Sequence, residues 1–538
     1  MRSVVGDLLG SPGLRFWWRT FEGVQDLFAE GHGEEGGPDD PLPVKTYRGL
    51  ARYVLPGPAR RIGDARWSFG SFRAAHPSAV PQLDALDERA LSTLLYWTYG
   101  LGRIELGPHA VWPYHRMVAS ARCFHPVELY LWLARPVGGL PAGCYHYDPA
   151  HHALTLLRPG GVPREVRAAS GTGAGVGLLV ASAWFRKSAF RYRDYAYRLC
   201  AQEAGMVVGN ALLAAGAIGV PGRVHHRFDD ATVNRALGLD GVEETAFAVV
   251  DLGAADWPVG PPGPSAGLPE AGRVPEIRLA HLSPNATNAD AWSGLTALDL
   301  AARMSGPGAP VDPADFLLPL PAPGPAGVGV PGAGAEPGGV ELAGALRVRD
   351  SGGRMFLPAG PPPDVADLVA ALRYAWEPVP GDHTGSACPP LVDAHVLVVD
   401  AAGIAPGWYR LAGPPGAASL VRAEDRDGRE VVAMLCDRTP AVNSAKAGAV
   451  VFLTADRLAG ERWFGARGYR VLHQEAGIVA QRVSVFAAAA GLSARVTNGY
   501  HDGLVRESLG VDAARVPVFT VVLGRRRPTA QYEPPLTW

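Results

Sequence analysis

One stretch of this chain occurs twice. Tyr197-Arg-Leu-Cys-Ala-Gln-Glu-Ala-Gly205 returns as Tyr469-Arg-Val-Leu-His-Gln-Glu-Ala-Gly477. The same offset then runs on without a gap, pairing Gly219 with Gly491, Arg223 with Arg495, Asp230 with Asp502 and Leu237-Gly238 with Leu509-Gly510. Upstream, Leu140-Pro-Ala-Gly-Cys-Tyr145 matches Ile404-Ala-Pro-Gly-Trp-Tyr409. The repeated unit is far too long for a stacked solenoid. It describes two copies of one α+β domain, and two such copies in one chain pack about a pseudo-twofold axis, as a fused homodimer.

The repeat divides the 538 residues into an N-terminal extension (1–45), a first domain (46–256), a connecting segment (257–340) and a second domain (341–538). The connector is rich in Pro, Gly and Ala, with one helical stretch near 291–304, and is too poor in periodic apolar residues to be a domain. Within the first copy, Leu91–Trp97 reads as helix, Glu128–Leu133 and Val176–Ala181 as strands, and Tyr195–Ile218 as a long buried helix. A formal charge of −2 offers no basic footprint for nucleic acid or an anionic membrane. No apolar run is long enough to span a bilayer and no signal peptide precedes the first domain, so a cytoplasmic location is expected. The five cysteines form no CxxC pair and no zinc-knuckle spacing.

Several motifs occur in a fixed order: Arg116-x-x-x-Ser120, His125-Pro-x-Glu-Leu-Tyr130, Gly139-Leu-Pro-Ala-Gly-Cys-Tyr-His-Tyr-Asp148, Phe190-Arg-Tyr-Arg-Asp-Tyr-Ala-Tyr-Arg198, the Glu-Ala-Gly helix and Leu237-Gly-Leu-Asp-Gly-Val-Glu-Glu244. This series resembles the FMN-dependent nitroreductase superfamily, and within it the SagB/ThcOx-type azoline dehydrogenases. The resemblance covers about residues 60–253 and, more loosely, 341–524. It implies two tandem nitroreductase-like domains forming a pseudo-dimer, with FMN in the interface. It further implies oxidation of thiazolines or oxazolines to thiazoles or oxazoles in a ribosomally made peptide. Hydride would pass to the flavin, and oxygen would reoxidise it. The expected partners are a leader-bearing peptide and a cyclodehydratase.

A flavin phosphate needs Arg forks and hydroxyl donors. The resemblance places these at Ser71-Phe-Arg73, with Arg66 or Ser68 as alternative registers. In the second copy it places them at Arg349-Asp-Ser351, with Arg354 one residue late. The turn along the flavin ring corresponds to Ala119-Ser-Ala-Arg122, reached from Arg116 and retaining Ser120. Its counterpart is Gly385-Ser-Ala-Cys388, with Ser386. Arg122 stands where the family has a small residue, and reaches either phosphate or substrate.

Aromatising an azoline removes a carbon-bound proton and a hydride from adjacent atoms, so a base must face the flavin across the substrate ring. The family supplies a Lys-Tyr pair there, and this chain has Arg191-Tyr192. Arg stays protonated. Tyr192 is therefore the candidate base, with Arg191 as its electrostatic partner. The second copy has Trp463-Phe464, which transfers no proton, so a single competent site is expected. Two further readings share the fold: a peptide-binding scaffold without chemistry, and an NAD(P)H-dependent reductase. Among weaker signals, Gly171–Gly177 reads as a loop before a strand, and His151-His152 as exposed after a turn. His225-His226 pairs with Thr497-Asn498 in the repeat, which argues against a metal. Glu203 and Glu475 sit mid-helix, where a buried inter-domain hydrogen bond explains them as well as catalysis does.

Overall fold

The fold is that of a computed structural model. It describes residues 10–29, 40–58, 86–253, 277, 281, 292–319, 342–527 and 534–536, apart from 108–109, 111–112, 174, 221, 354, 384–388, 414–417 and 424–427. Two antiparallel sheets carry the two copies. In spatial order the first holds strands 52–54, 153–159, 143–148, 127–133, 177–184, 244–252 and 222–225. The second holds 419–422, 407–412, 393–398, 449–456, 515–524 and 493–497. Strand for strand the order is the same, with 52–54 as an extra edge in the first sheet. The duplication seen in the sequence is thus a duplication of topology.

Both faces of each sheet are covered, which is why the central strands read as unbroken apolar runs. In strand 177–184, Leu179, Ala181 and Ala183 face the common core between the halves. Leu178 and Val180 face an outer core shared with Phe228, Val233 and Leu237 of the short helix Asp230–Leu237. Strand 449–456 repeats the alternation, with Val450 and Phe452 turned outward toward Val431 and Val505.

The common core is built on two long helices, Ala196–Ala217 and Arg467–Ala489. They cross where the repeated glycines meet. A Cβ on Gly205 would lie 2.1 Å from the Gln474 carbonyl oxygen, and one on Gly477 would lie 2.2 Å from that of Gln202. The neighbouring carboxamides complete the crossing: Gln202 Nε2 donates to the Val518 carbonyl at 2.7 Å, and Gln474 Nε2 to the Phe247 carbonyl at 2.9 Å. Each helix therefore binds the opposite sheet. Gly477→Ala pushes backbone against backbone, an overpacking that costs about 3 kcal/mol. We expect its melting temperature to fall several degrees below that of a control whose added Cβ meets nothing within 4 Å, Gly344→Ala, as read by circular dichroism.

The N-terminal extension joins this centre. Helix Pro12–Thr20 is capped by Ser11, whose Oγ accepts from Leu14 N at 3.0 Å. It lays Phe16 and Trp17 over Tyr469, with Phe16 also against Tyr197, and these two repeat-related tyrosines stand 6.0 Å apart. In the connector, helix Ser293–Ala301 packs by Leu295 and Leu298 into the same core. His152, expected to be exposed, is buried. Its backbone turns left-handed (φ 46°), swinging the imidazole onto the Ser92 and Tyr147 hydroxyls at 2.7 and 2.9 Å. Its neighbour His151 is exposed. No helix among the described residues is long and apolar enough to cross a membrane.

Candidate functional site

Each copy enters its long helix through a short one, and the junction is strained. The short helix Arg186–Tyr192 ends at Arg193, with φ 49° and ψ −133°. The equivalent helix Arg457–Phe464 ends at Gly465, with φ 58° and ψ −146°. This backbone conformation suits glycine and strains arginine. Arg193→Gly should therefore raise stability by about 1 kcal/mol, net of glycine's entropy cost, measured as a shift in urea midpoint.

The junction presents Tyr192 beside the turn that follows strand 114–116. The Tyr192 ring meets that of Phe124 at 6.3 Å, and Phe124 also packs on Phe190 at 5.1 Å. The turn itself is strained: Arg122, Cys123 and His125 all have φ between 49° and 54°. Ser120 Oγ fastens it by accepting from His125 N at 2.9 Å. Position 122 thus adopts a left-handed backbone that favours glycine over arginine. Such strain is characteristic of ligand-binding turns.

Across from this turn the second copy contributes a cluster of arginines. Arg349, just after helix Leu342–Val348, is 3% exposed, and its Nε and Nη1 have no hydrogen-bond partner. Its backbone carbonyl accepts from Arg103 Nη1 of the first copy at 3.0 Å. Arg495, on strand 493–497, donates through Nε to the Ser351 carbonyl at 2.7 Å and through Nη2 to that of Gly353. Arg526 pairs with Asp350 at 3.3 Å.

The local field is correspondingly positive. Burial and then the Arg103 charge push Arg349 down to about 10. Burial, with Arg103, His125, Arg349 and Arg526, pushes His115 down to about 3. His115 Nδ1 lies 3.9 Å from the Cys123 thiol, and burial raises that thiol to about 12, so it stays protonated. A buried guanidinium without a counter-charge is costly unless an anion completes it.

The sequence-based candidates are distributed as follows. Tyr192 and Ser120 meet at the 120–125 turn through Phe124 and His125, and the Arg349 charge acts on Cys123 of the same turn. Ser351 accepts from Arg495 through its carbonyl, and Arg191 adjoins Tyr192. Arg116 belongs to a different network: its guanidinium stacks 4.5 Å over the Tyr99 ring, and Tyr99 donates to Glu203 Oε1 at 2.7 Å. Ser71, Arg73, Arg354 and Ser386 lie outside the described residues. Arg103, Arg495 and Arg526 were not among the candidates. The Arg223–Arg495 pairing marked Arg495 only as part of the repeat, while Arg103 and Arg526 carry no motif.

The pseudo-equivalent position in the other half is filled by the chain itself. Arg223, the counterpart of Arg495, donates to the Gly381 carbonyl at 3.0 Å. Val224 N donates to the Pro380 carbonyl at 2.8 Å, closing strand 222–225 against the second copy. The connector then crosses over it, with Val311 N donating to the His383 carbonyl at 2.6 Å. Phe464, the counterpart of Tyr192, lies under Phe316 at 5.9 Å and Arg227 at 4.7 Å. Trp463, the counterpart of Arg191, donates to Asp315 at 2.8 Å.

Comparison with known proteins agrees with this architecture. Residues 416–525 match the nitroreductase family. The chain is 31% identical over 133 residues to the microcin B17-processing protein McbC of Escherichia coli, covering 23% of this chain and 49% of that one. It is 28% identical over 141 residues to the trifolitoxin-processing protein TfxB of Rhizobium leguminosarum bv. trifolii, covering 25% and 38%. The matches thus span less than half the length of either relative. A solved nitroreductase-type structure from Anabaena variabilis superposes with a TM-score of 0.68 over 96% of this chain and 100% of its own, at 22% identity. The chain thus carries a nitroreductase-family domain at 416–525 and repeats the nitroreductase fold in both of its halves.

Proposed function

We propose that the chain is an FMN-dependent dehydrogenase that oxidises thiazoline or oxazoline rings in a ribosomally made peptide, after a cyclodehydratase has formed them. The observation that carries this reading is the buried Arg349 guanidinium of the second copy, with two unpaired N–H groups, close enough to the strained 120–125 turn of the first copy for its charge to act on Cys123. A phosphate monoester matches that donor set, because it is a dianion with several acceptor oxygens. Arg349 and Arg495 would hold the phosphate, and the 120–125 turn would lie along the ring system. Bound there, FMN would accept the hydride.

The remaining steps fall to this chain. Phe124 and Phe190 offer an apolar wall against which a five-membered ring excludes water. Tyr192 takes the carbon-bound proton through its phenol oxygen. Arg191, permanently cationic, stabilises the charge that the phenol carries when it acts as base. The names of McbC and TfxB, both peptide-processing proteins, support a peptide as substrate. The test uses the purified full chain and a thiazoline-bearing peptide in air. The expected result is a yellow protein that removes one H2 per ring, read by mass spectrometry. A colourless chain that takes up no FMN but binds the leader peptide would replace this reading with the scaffold. Rapid bleaching by NADPH without oxygen would replace it with the reductase.

A further inference from the structure

Glu475 lies at the covered position, mid-way along the second long helix. It is fully buried, as are His226 from the first copy and His383 from the second. Glu475 Oε1 stands 3.2 Å from His226 Nε2 and 3.4 Å from His383 Nε2, and one ligand atom from each residue fits within a 4.8 Å span.

The hydrogen bonds around this trio fix its protons. Gln474 Nε2 donates to the Phe247 carbonyl, so its Oε1 is an acceptor. Gln474 Oε1 faces His226 Nδ1 at 2.8 Å, which must therefore carry a proton. The Nε2 of a neutral His226 then turns a lone pair toward a carboxylate oxygen. Glu475 Oε2 is already taken, accepting from Leu391 N at 3.2 Å. His383, 0% exposed, has Nδ1 3.7 Å from Asp382 Oδ1 and Nε2 3.4 Å from Glu475 Oε1, both outside good hydrogen-bond geometry. Three ligand atoms thus meet at one point away from water, where a cation would take the place of the proton that Glu475 and Asp382 otherwise hold on His383.

The other half shows how the same position is satisfied without one. Glu203 Oε1 receives the Tyr99 hydroxyl at 2.7 Å, and Asn498, the counterpart of His226, pairs with Gln202 through amide bonds of 2.8 and 3.0 Å.

We propose that His226, His383 and Glu475 bind one zinc ion, which ties the two copies together at the position the connector covers. Two imidazoles and a carboxylate form a zinc donor set with a fourth position left for water. Ligands about 2.1 Å from a tetrahedral ion stand about 3.4 Å apart, matching the two Glu475 separations, and the 4.8 Å span of the empty cluster closes as the two imidazoles turn onto the ion. Gln474 acts as the outer partner that sets the His226 tautomer. Repeat pairing hides the set, because it weighs His226 only against Asn498, while His383 falls outside the ungapped register.

The test is metal analysis by mass spectrometry on the full chain purified without a His-tag. About one zinc per chain is expected after exhaustive dialysis. Cobalt substituted for zinc should give the visible d–d bands of a four-coordinate site, beyond the flavin absorption. His226→Asn installs the residue the other half uses, so it should fold, keep any flavin and lose the zinc. His383→Gln should do likewise. A folded wild-type chain holding less than about a tenth of an equivalent, after zinc is offered during refolding or growth, overturns the proposal in favour of a hydrogen-bonded cluster. Undiminished zinc in His226→Asn overturns it too. Arg349→Ala tests flavin and not zinc, so the two readings fail separately.

Discussion

Arg349→Ala combined with Arg495→Ala should emerge from purification colourless, while Arg223→Ala should remain yellow with one FMN per chain. The contrast follows from two repeat-equivalent positions with different surroundings. Arg349 keeps two buried N–H groups unbonded, and Arg495 fixes the segment beside it through the Ser351 and Gly353 carbonyls. Arg223 is spent on the Gly381 carbonyl, beneath the connector. Each charge-assisted hydrogen bond to a phosphate contributes about 1.5–3 kcal/mol, so losing two weakens FMN binding at least ~100-fold. Flavin released by heating and counted against protein gives the stoichiometry. Two flavins in the wild type, or equal losses from Arg223→Ala and the double variant, would mean that both clefts bind.

The stability of the apoprotein adds a second readout. Arg349 has two unpaired donors in a buried place, which costs folding free energy. Arg349→Ala alone should therefore melt no lower than the wild-type apoprotein, and somewhat higher. A mere structural arginine would show the reverse.

How much of this was legible in the sequence depends on which contacts the repeat reports. The crossing of the long helices is legible because Gly205 meets Gln474 while the counterpart Gly477 meets Gln202 across the pseudo-twofold axis. Self-complementary contacts leave the same residue types in both copies. The clefts are different. Each is built from unlike positions of the two copies, so the turn at 120–125 faces Arg349 and Arg495, which nothing in its own counterpart predicts. Arg103 and Arg526 lie outside the repeated motifs, and their roles appear only once strand 101–104 is joined to the C-terminal segment, with Ile104 N donating to the Pro534 carbonyl at 3.3 Å. Arg116 was named by its spacing in a family pattern, and its stacking over the Tyr99 ring is a contact that no spacing reports. The connector's composition marks it as irregular chain. Its place over Phe464 depends on single side chains, chiefly Phe316, that no periodicity announces.

That asymmetry sets the second large effect. Tyr192→Phe should keep its flavin and its fold but lose ring oxidation by at least ~100-fold in kcat, the usual worth of a positioned general base. The phenol oxygen is the only atom removed, and the ring still packs on Phe124. KM for the peptide should change little, because a group that acts only on the departing proton contributes equally little to ground-state binding. Phe464→Leu provides the matched control on the other copy. It alters the same backbone position but faces Phe316 and Arg227, and should leave turnover intact. Arg191→Lys separates the two parts of the pair, since lysine keeps the cation while restoring an amine able to exchange a proton. If Arg191 serves only as a charge, Arg191→Lys should retain activity, while Arg191→Lys with Tyr192→Phe should remain as slow as Tyr192→Phe alone. Recovery in the double variant would move the proton from the phenol to position 191. Equal losses from Tyr192→Phe and Phe464→Leu would return the chemistry to both halves and remove the single-site reading of the cleft.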